Sequence, residues 1–133
     1  MVPAGQLLQA VDEKRIELYI SEYVLSELRD VLSRPKLVAQ FSFTSERAAK
    51  YAESVAEMAI VVADVPHVYE FPRDPKDAHY IDLAVAADAK LIVSRDKDLL
   101  SLRDIRTVEG QDFRARFPAI SILTPPEALL AIG

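Results

Sequence analysis

Three carboxylates, Glu27, Asp77 and Asp96, stand at positions from which chemistry could be done. Asp96 lies two residues beyond the apolar run Leu91-Ile92-Val93-Ser94, within Ser94-Arg95-Asp96-Lys97-Asp98-Leu99-Leu100. Its plain reading is an N-cap for the next helix, because Asp is a favoured cap, and taken alone that reading leads. Asp98 then falls in the first helical turn, where an acid complements the helix dipole. Asp77 closes Asp74-Pro75-Lys76-Asp77. A helix capped by Asp74 puts it at N3, again an ordinary place for an acid. However, Asp77, Ile81 and Ala84 share one helical line, which aims Asp77 along the buried face. Asp88 continues that line at the far end and cannot join the same site. Glu27 flanks an apolar stripe, between Val24 and Val31. A partly buried carboxylate needs a partner, and a salt bridge across the helix flank explains it as well as a site does. Glu22, on the other side, reads as a solvated charge.

If these carboxylates converge, they suit a hard cation such as Mg²⁺ or Mn²⁺. The chain has no cysteine and only two histidines, which removes thiolate catalysis and zinc–sulfur sites. His67, beside Pro66, and His79, with Asp82 nearby, both read as surface residues. Ser94 could bond a cation's water, but closing the strand is its simpler role. Arg103, Arg106, Arg114 and Arg116 surround a polar stretch with Phe113 and Phe117 interleaved. That is a candidate strand-binding patch, with a solvated face as the reading preferred. The net charge of −5 weighs mildly against non-specific nucleic-acid binding, which needs clustered cations.

The elements that must position these residues alternate along the chain. Ala4, Leu7, Leu8 and Val11 have amphipathic helical spacing. Ile16–Ile20 is a short strand. Ser21 caps a helix whose stripe is Val24, Leu25, Leu28, Val31 and Leu32, ending at Arg34-Pro35. Thr44 caps another, with Ala48, Tyr51, Ala52, Val55 and Ala59 on its apolar face. Residues 60–63 and 91–94 read as buried strands, with the helix opened by Asp74 running between them to about Asp88. Leu99–Leu102 begins a short helix, and 104–118 reads as a polar loop. Ile120–Leu123 is the last strand, and Thr124-Pro125-Pro126-Glu127 is a capping box that starts the final helix. Short apolar strands alternating with helices predict an α/β fold with a parallel sheet covered on both faces. Sites in such folds lie beyond the carboxyl ends of the strands. The 133 residues are expected to form one domain, 1–133. No run approaches the roughly 20 apolar residues of a membrane helix, and Met1–Gln6 lacks the pattern of a secretory signal. The absence of cysteine fits a reducing, cytoplasmic setting.

In this order the motifs resemble the PIN-domain family, in its branch of toxins from toxin–antitoxin pairs related to VapC-type ribonucleases. The matching stretches are Leu18-Tyr19-Ile20-Ser21 with Glu27-Leu28, then Arg73-Asp74-Pro75-Lys76-Asp77-Ala78, then Leu91 to Leu100, and finally Ile122-Leu123-Thr124-Pro125-Pro126-Glu127. The resemblance implies a three-layer α/β/α fold with a central parallel sheet. It implies metal-dependent hydrolysis of RNA, with four acids holding one or two divalent ions. Glu27, Asp77 and Asp96 match the second, third and fourth acids, with Asp98 and Ser94 as auxiliaries and Arg114 and Arg116 as RNA contacts. The family's first, central strand carries the first acid and precedes the helix that matches Ala4–Val11. It has no counterpart in this sequence, so the expectation is an N-terminally truncated PIN-like domain of reduced activity. The expected partners are RNA, a cognate antitoxin protein and a second copy of the chain, joined through the exposed sheet. The competing expectation is a catalytically dead interaction module with the same fold.

Overall fold

Helix α1 (Pro3–Asp12) opens on proline, which is preorganised for a first helical position. It closes on Lys14 in the left-handed region, φ 61°, with the Arg15 amide reaching back to the Ala10 carbonyl. The computed structural model describes residues 3–32, 34 and 45–133. Thr44 and Pro35 therefore lie outside the described residues, as do the side chains of Ala4 and Ala48.

Strand β1 (Tyr19–Ser21) runs directly into α2 (Glu22–Leu32). Ser21 caps that helix as expected, its Oγ accepting the Val24 amide at 3.2 Å. Helix α3 (Ser45–Met58) leads to β2 (Ile60–Val62), which pairs parallel with β1 through Ile20 and Val61. A 3₁₀ turn (Pro75–Asp77) enters α4 (Ala78–Ala86), followed by β3 (Leu91–Val93) and α5 (Lys97–Ser101). Helix α6 (Val108–Arg116), β4 (Ser121–Leu123) and α7 (Pro125–Ile132) complete the order. Strand β4 pairs parallel with β3, Ile92 opposite Ile122. This is the mixed α/β fold of helices and short parallel strands that the alternation predicts, consistent with a PIN-like α/β/α layering.

Two expectations are corrected. Residues 104–118 are not a polar loop. Thr107 caps α6 by accepting the Gly110 amide at 3.0 Å, and Phe113 is buried. Gly110 is required there, because a Cβ would overlap the Asp104 carbonyl oxygen. Nor are the strands buried on both faces: Ile60 and Val61 are each 46% exposed, and Leu91 and Val93 are 38% and 41% exposed. The cause is topological. Among the described residues the strands form two separate two-stranded ladders, β1–β2 and β3–β4, not one sheet. Between the ladders lies a cleft of about 660 Å³, lined by Leu18 and Tyr19 on one side and Leu91, Ile92 and Val93 on the other. Helix α4 touches both β1 and β3 and so spans the division.

Each ladder has its own core. Ile20, Leu25, Leu32, Ala52 and Val55 pack together around β1, α2 and α3. A larger cluster, including Tyr69, Phe71, Ile81, Ile92, Leu99, Phe113 and Ile122, fills the second half.

Candidate metal centre

Helix α4 begins where the acids collect. Asp74 accepts the Lys76 amide at 3.2 Å and so caps the 3₁₀ turn, with Pro75 at its first position. That turn delivers Asp77 inward: it is 6% exposed, on the buried line that the spacing predicts. Its Oδ2 is buried and has no hydrogen-bond partner. An orphaned buried carboxylate oxygen is costly unless something binds it. Burial, followed by the charges of Asp96, Asp74 and Asp98, pushes the Asp77 carboxyl up to about 7. Four acids thus crowd one end of the second ladder, beyond the carboxyl end of β3.

One carboxylate oxygen from each of Asp74, Asp77 and Asp98 lies within 4.8 Å of the other two. This trio differs from the one read off the sequence. Asp98, an auxiliary in that reading, lies inside it, and Asp74, read there only as a cap, joins it. The signal for Asp74 was its Pro75-spaced turn, which points both acids of Asp74-x-x-Asp77 to one side. Asp96 acts as the N-cap of α5, its Oδ1 accepting the Asp98 amide at 2.7 Å. It stays exposed, yet after burial its charge does most to raise the Asp77 carboxyl. Ser94 closes the strand: its Oγ accepts the Asp96 amide at 2.9 Å, and its own amide bonds the Leu123 carbonyl at 2.9 Å.

Glu27 arrives from the first half. Tyr23 stands near it: burial first, then the Glu27 carboxylate, push the Tyr23 phenol up to about 12. Tyr80 links the two sides. Its phenol is raised by burial and then by the charges of Glu27, Asp77 and Asp96. The charges of all three expected acids are thus felt at Tyr80, a residue the motifs do not single out.

Both histidines are exposed, as expected of surface residues, and each has a defined partner. His67 bridges two carboxylates, Nδ1 to Asp82 at 2.8 Å and Nε2 to Glu70 at 2.9 Å. Asp82 is 3% exposed and also accepts the Val68 and Tyr69 amides at 2.9 and 3.0 Å. It clamps the 67–69 segment to α4. His79 is exposed and stacks on Tyr23. Of the four arginines in the expected patch, three are engaged within the fold. Arg103 pairs with Glu127, Arg106 with Asp104, and Arg116 packs over Tyr69 and Phe117 while bonding the Val68 carbonyl. Arg114 lines a groove with Phe113 and Phe117.

Comparison with known proteins identifies the family. The PIN domain family model matches residues 2–98, from before α1 through Asp98. The chain belongs to the PIN domain family, whose members are metal-dependent nucleases as a class. The matched span contains Glu27, Asp74, Asp77, Asp96 and Asp98, and stops short of α6, β4 and α7. An uncharacterized protein of Methanocaldococcus jannaschii is 28% identical over 100 residues, covering 75% of this chain and 63% of its own length. The chain thus spans less than two thirds of that relative. No solved structure matches the chain. Among the described residues no helix is long and apolar enough to cross a membrane.

Proposed function

We propose that this chain is an RNA-cleaving hydrolase that works with Mg²⁺ or Mn²⁺, acting in the cytoplasm as the toxin of a toxin–antitoxin pair. The observation that carries the cation is the orphaned Asp77 Oδ2 beside Asp74 and Asp98. Asp77 with Asp74 and Asp98 would hold the ion, with Glu27 and Asp96 completing the acidic surround. When bound, the ion supplies charge neutralisation on a phosphodiester and acidifies a water. The chain's own residues do the rest. Near its raised pKa of about 7, Asp77 exchanges its proton for a cation at neutral pH, so cation binding releases a proton there. Tyr23, its phenol raised by burial and by Glu27, stays protonated at neutral pH. Hard oxygen donors alone favour Mg²⁺ or Mn²⁺ over softer metals.

An antitoxin protein and a second copy of the chain are the proposed partners. The open edges of β1 and β3 support self-association, because unpaired strand edges recruit other strands. Light scattering should show mass rising with concentration, and a clean monomer throughout would count against it.

The deciding assay is cleavage of single-stranded RNA with Mg²⁺ or Mn²⁺ and with chelator. Asp77→Asn should lose two or more orders of magnitude, roughly 3 kcal/mol of transition-state stabilisation. Comparing Asp74→Asn, Asp96→Asn and Asp98→Asn then ranks the remaining acids. The second reading is an interaction module that keeps the fold without cleaving. The cleft that divides the sheet supports it, since it leaves Glu27 and the Asp trio on different ladders. Metal-independent antitoxin binding with no cleavage under any cation would select it.

A further inference from the structure

We propose that the stacked pair Tyr23–His79 is a seat for one nucleobase of a single-stranded substrate, beside the carboxylates that hold the cation. The inference rests on the hydrolase reading and names how the substrate is gripped. The two rings come from different elements, Tyr23 from the first turn of α2 and His79 from the first turn of α4. Their centroids are 3.5 Å apart and their planes differ by 13°. Both turns sit at the site end of the fold, α2 directly after β1 and α4 directly after Asp77.

The pair is held in place. Tyr23 is fixed on α2 with its phenol partly buried, where it feels Glu27, Tyr80 and Asp74. Tyr23 is half-buried, while His79 is exposed. With one face stacked on Tyr23 and the residue exposed, the imidazole offers its other face to solvent, two residues beyond Asp77. The remaining large rings of the second half are spent on the core: Tyr69, Phe113 and Phe117 pack on one another, with Arg116 over them.

Charge explains why such a seat is needed. The chain carries a net charge of −5, and Arg103, Arg106 and Arg116 are engaged internally. Exposed Lys76, Arg95 and Lys97 interleave with the acids and can meet phosphates, but charge does not hold the face of a base. Stacking needs no cation, and it tolerates every base because each has a π-face.

The test uses the two histidines as reporters, read by proton NMR of the full chain. His67 is locked between Asp82 and Glu70 and serves as the internal control. The probes are a 2′-O-methyl adenosine tetranucleotide, which resists cleavage, and ribose 5-phosphate, both with Mg²⁺. The tetranucleotide should move the His79 ring protons upfield and leave those of His67 in place, and ribose 5-phosphate should move neither. His79→Ala should weaken tetranucleotide binding about tenfold. His79→Phe should retain it, and His79→Lys, which offers a cation without a ring, should not. Equal shifts from both probes, or unchanged binding by His79→Ala, would overturn the seat. Base-dependent shifts without Mg²⁺-dependent cleavage would remove the hydrolase reading and leave the seat. Cleavage with unchanged KM in His79→Ala would remove the seat and leave hydrolysis.

Discussion

The two halves of this molecule are built to different standards. Among the described residues, the first, β1–β2 with α2 and α3, has an aliphatic core of Ile20, Leu25, Leu32, Ala52 and Val55. The second, β3–β4 with α4 to α7, buries aromatic rings as well as aliphatics. It is also tied across long sequence distances by Asp82 to the 67–69 segment, Arg103 to Glu127 and Arg116 to the Val68 carbonyl. The acids follow the same division. Asp74, Asp77, Asp96 and Asp98 belong to the better-braced half, and Glu27 alone comes from the other. A cation site needs its ligands held within tenths of an ångström, so its anchor lies where the packing is richest. Glu27 reaches it through α4, which touches both ladders, and through α1, which packs on α3 of the first half and α7 of the second.

The sharpest break of this comparison is Asp82→Ala. It would strand the Val68 and Tyr69 amides and leave His67 without its buried partner. Unsatisfied buried groups of that kind should cost about 4 kcal/mol, read as a lower midpoint in urea. A loss under about 1 kcal/mol would show that the second half does not depend on the clamp. Next come two matched cavities. Leu99→Ala, at a site 2% exposed, should cost about 3 kcal/mol and slow cleavage little until the chain unfolds. Leu25→Ala, 4% exposed in the smaller core, should instead raise amide exchange locally in α2 and α3. If both variants loosen the whole chain equally, the halves are one cooperative unit.

A smaller effect separates the acids by pH. The Asp77 carboxyl is raised from 3.8 to about 7, so the folded state binds its proton more tightly than the unfolded chain does. This group therefore makes stability fall as pH rises from about 4 to about 7, after which its effect is constant. His67, raised by Asp82 and Glu70, acts in the same direction: its contribution is complete below 6.5 and is lost as pH passes its folded value. Asp77→Asn should flatten the acid side of that profile and gain roughly 2 kcal/mol at pH 8, since it removes a buried unpaired charge. Saturating Mg²⁺ should stabilise the parent at pH 8 and leave the variant unmoved. An Asp77→Asn chain less stable than the parent at pH 8 would refute the orphaned-charge account.

The smallest change compares helix ends. Lys14 after α1 and Asp88 after α4 both adopt left-handed backbone, at φ 61° and 53°. Glycine fits that position without a Cβ penalty. Lys14→Gly should stabilise by about 0.5–1 kcal/mol, and Asp88→Gly by less, because Asp tolerates the left-handed region better than Lys. Thermal midpoints measure both.

Local chemistry was legible in the residue order because it acts within about one helical turn. The Thr124–Glu127 capping box, the Asp74 and Asp96 caps and the Ser21 cap all form where their spacing places them. The buried direction of Asp77 followed from the helical period. Helix α6 was missed because its pattern is weakly amphipathic and its Thr107 cap precedes a glycine, yet Thr107 and Phe113 were visible signals. What tertiary structure alone decided was pairing across distance. Asp98 comes to Asp74 and Asp77 from beyond β3, and His67 finds Asp82 fifteen residues away. The two ladders stand apart because strand pairing depends on which edges meet in space, and no residue encodes its neighbour across a sheet. The same distance dependence made Tyr23, His79 and Tyr80 look like ordinary helix residues in the sequence. Only the fold sets their rings around the acids.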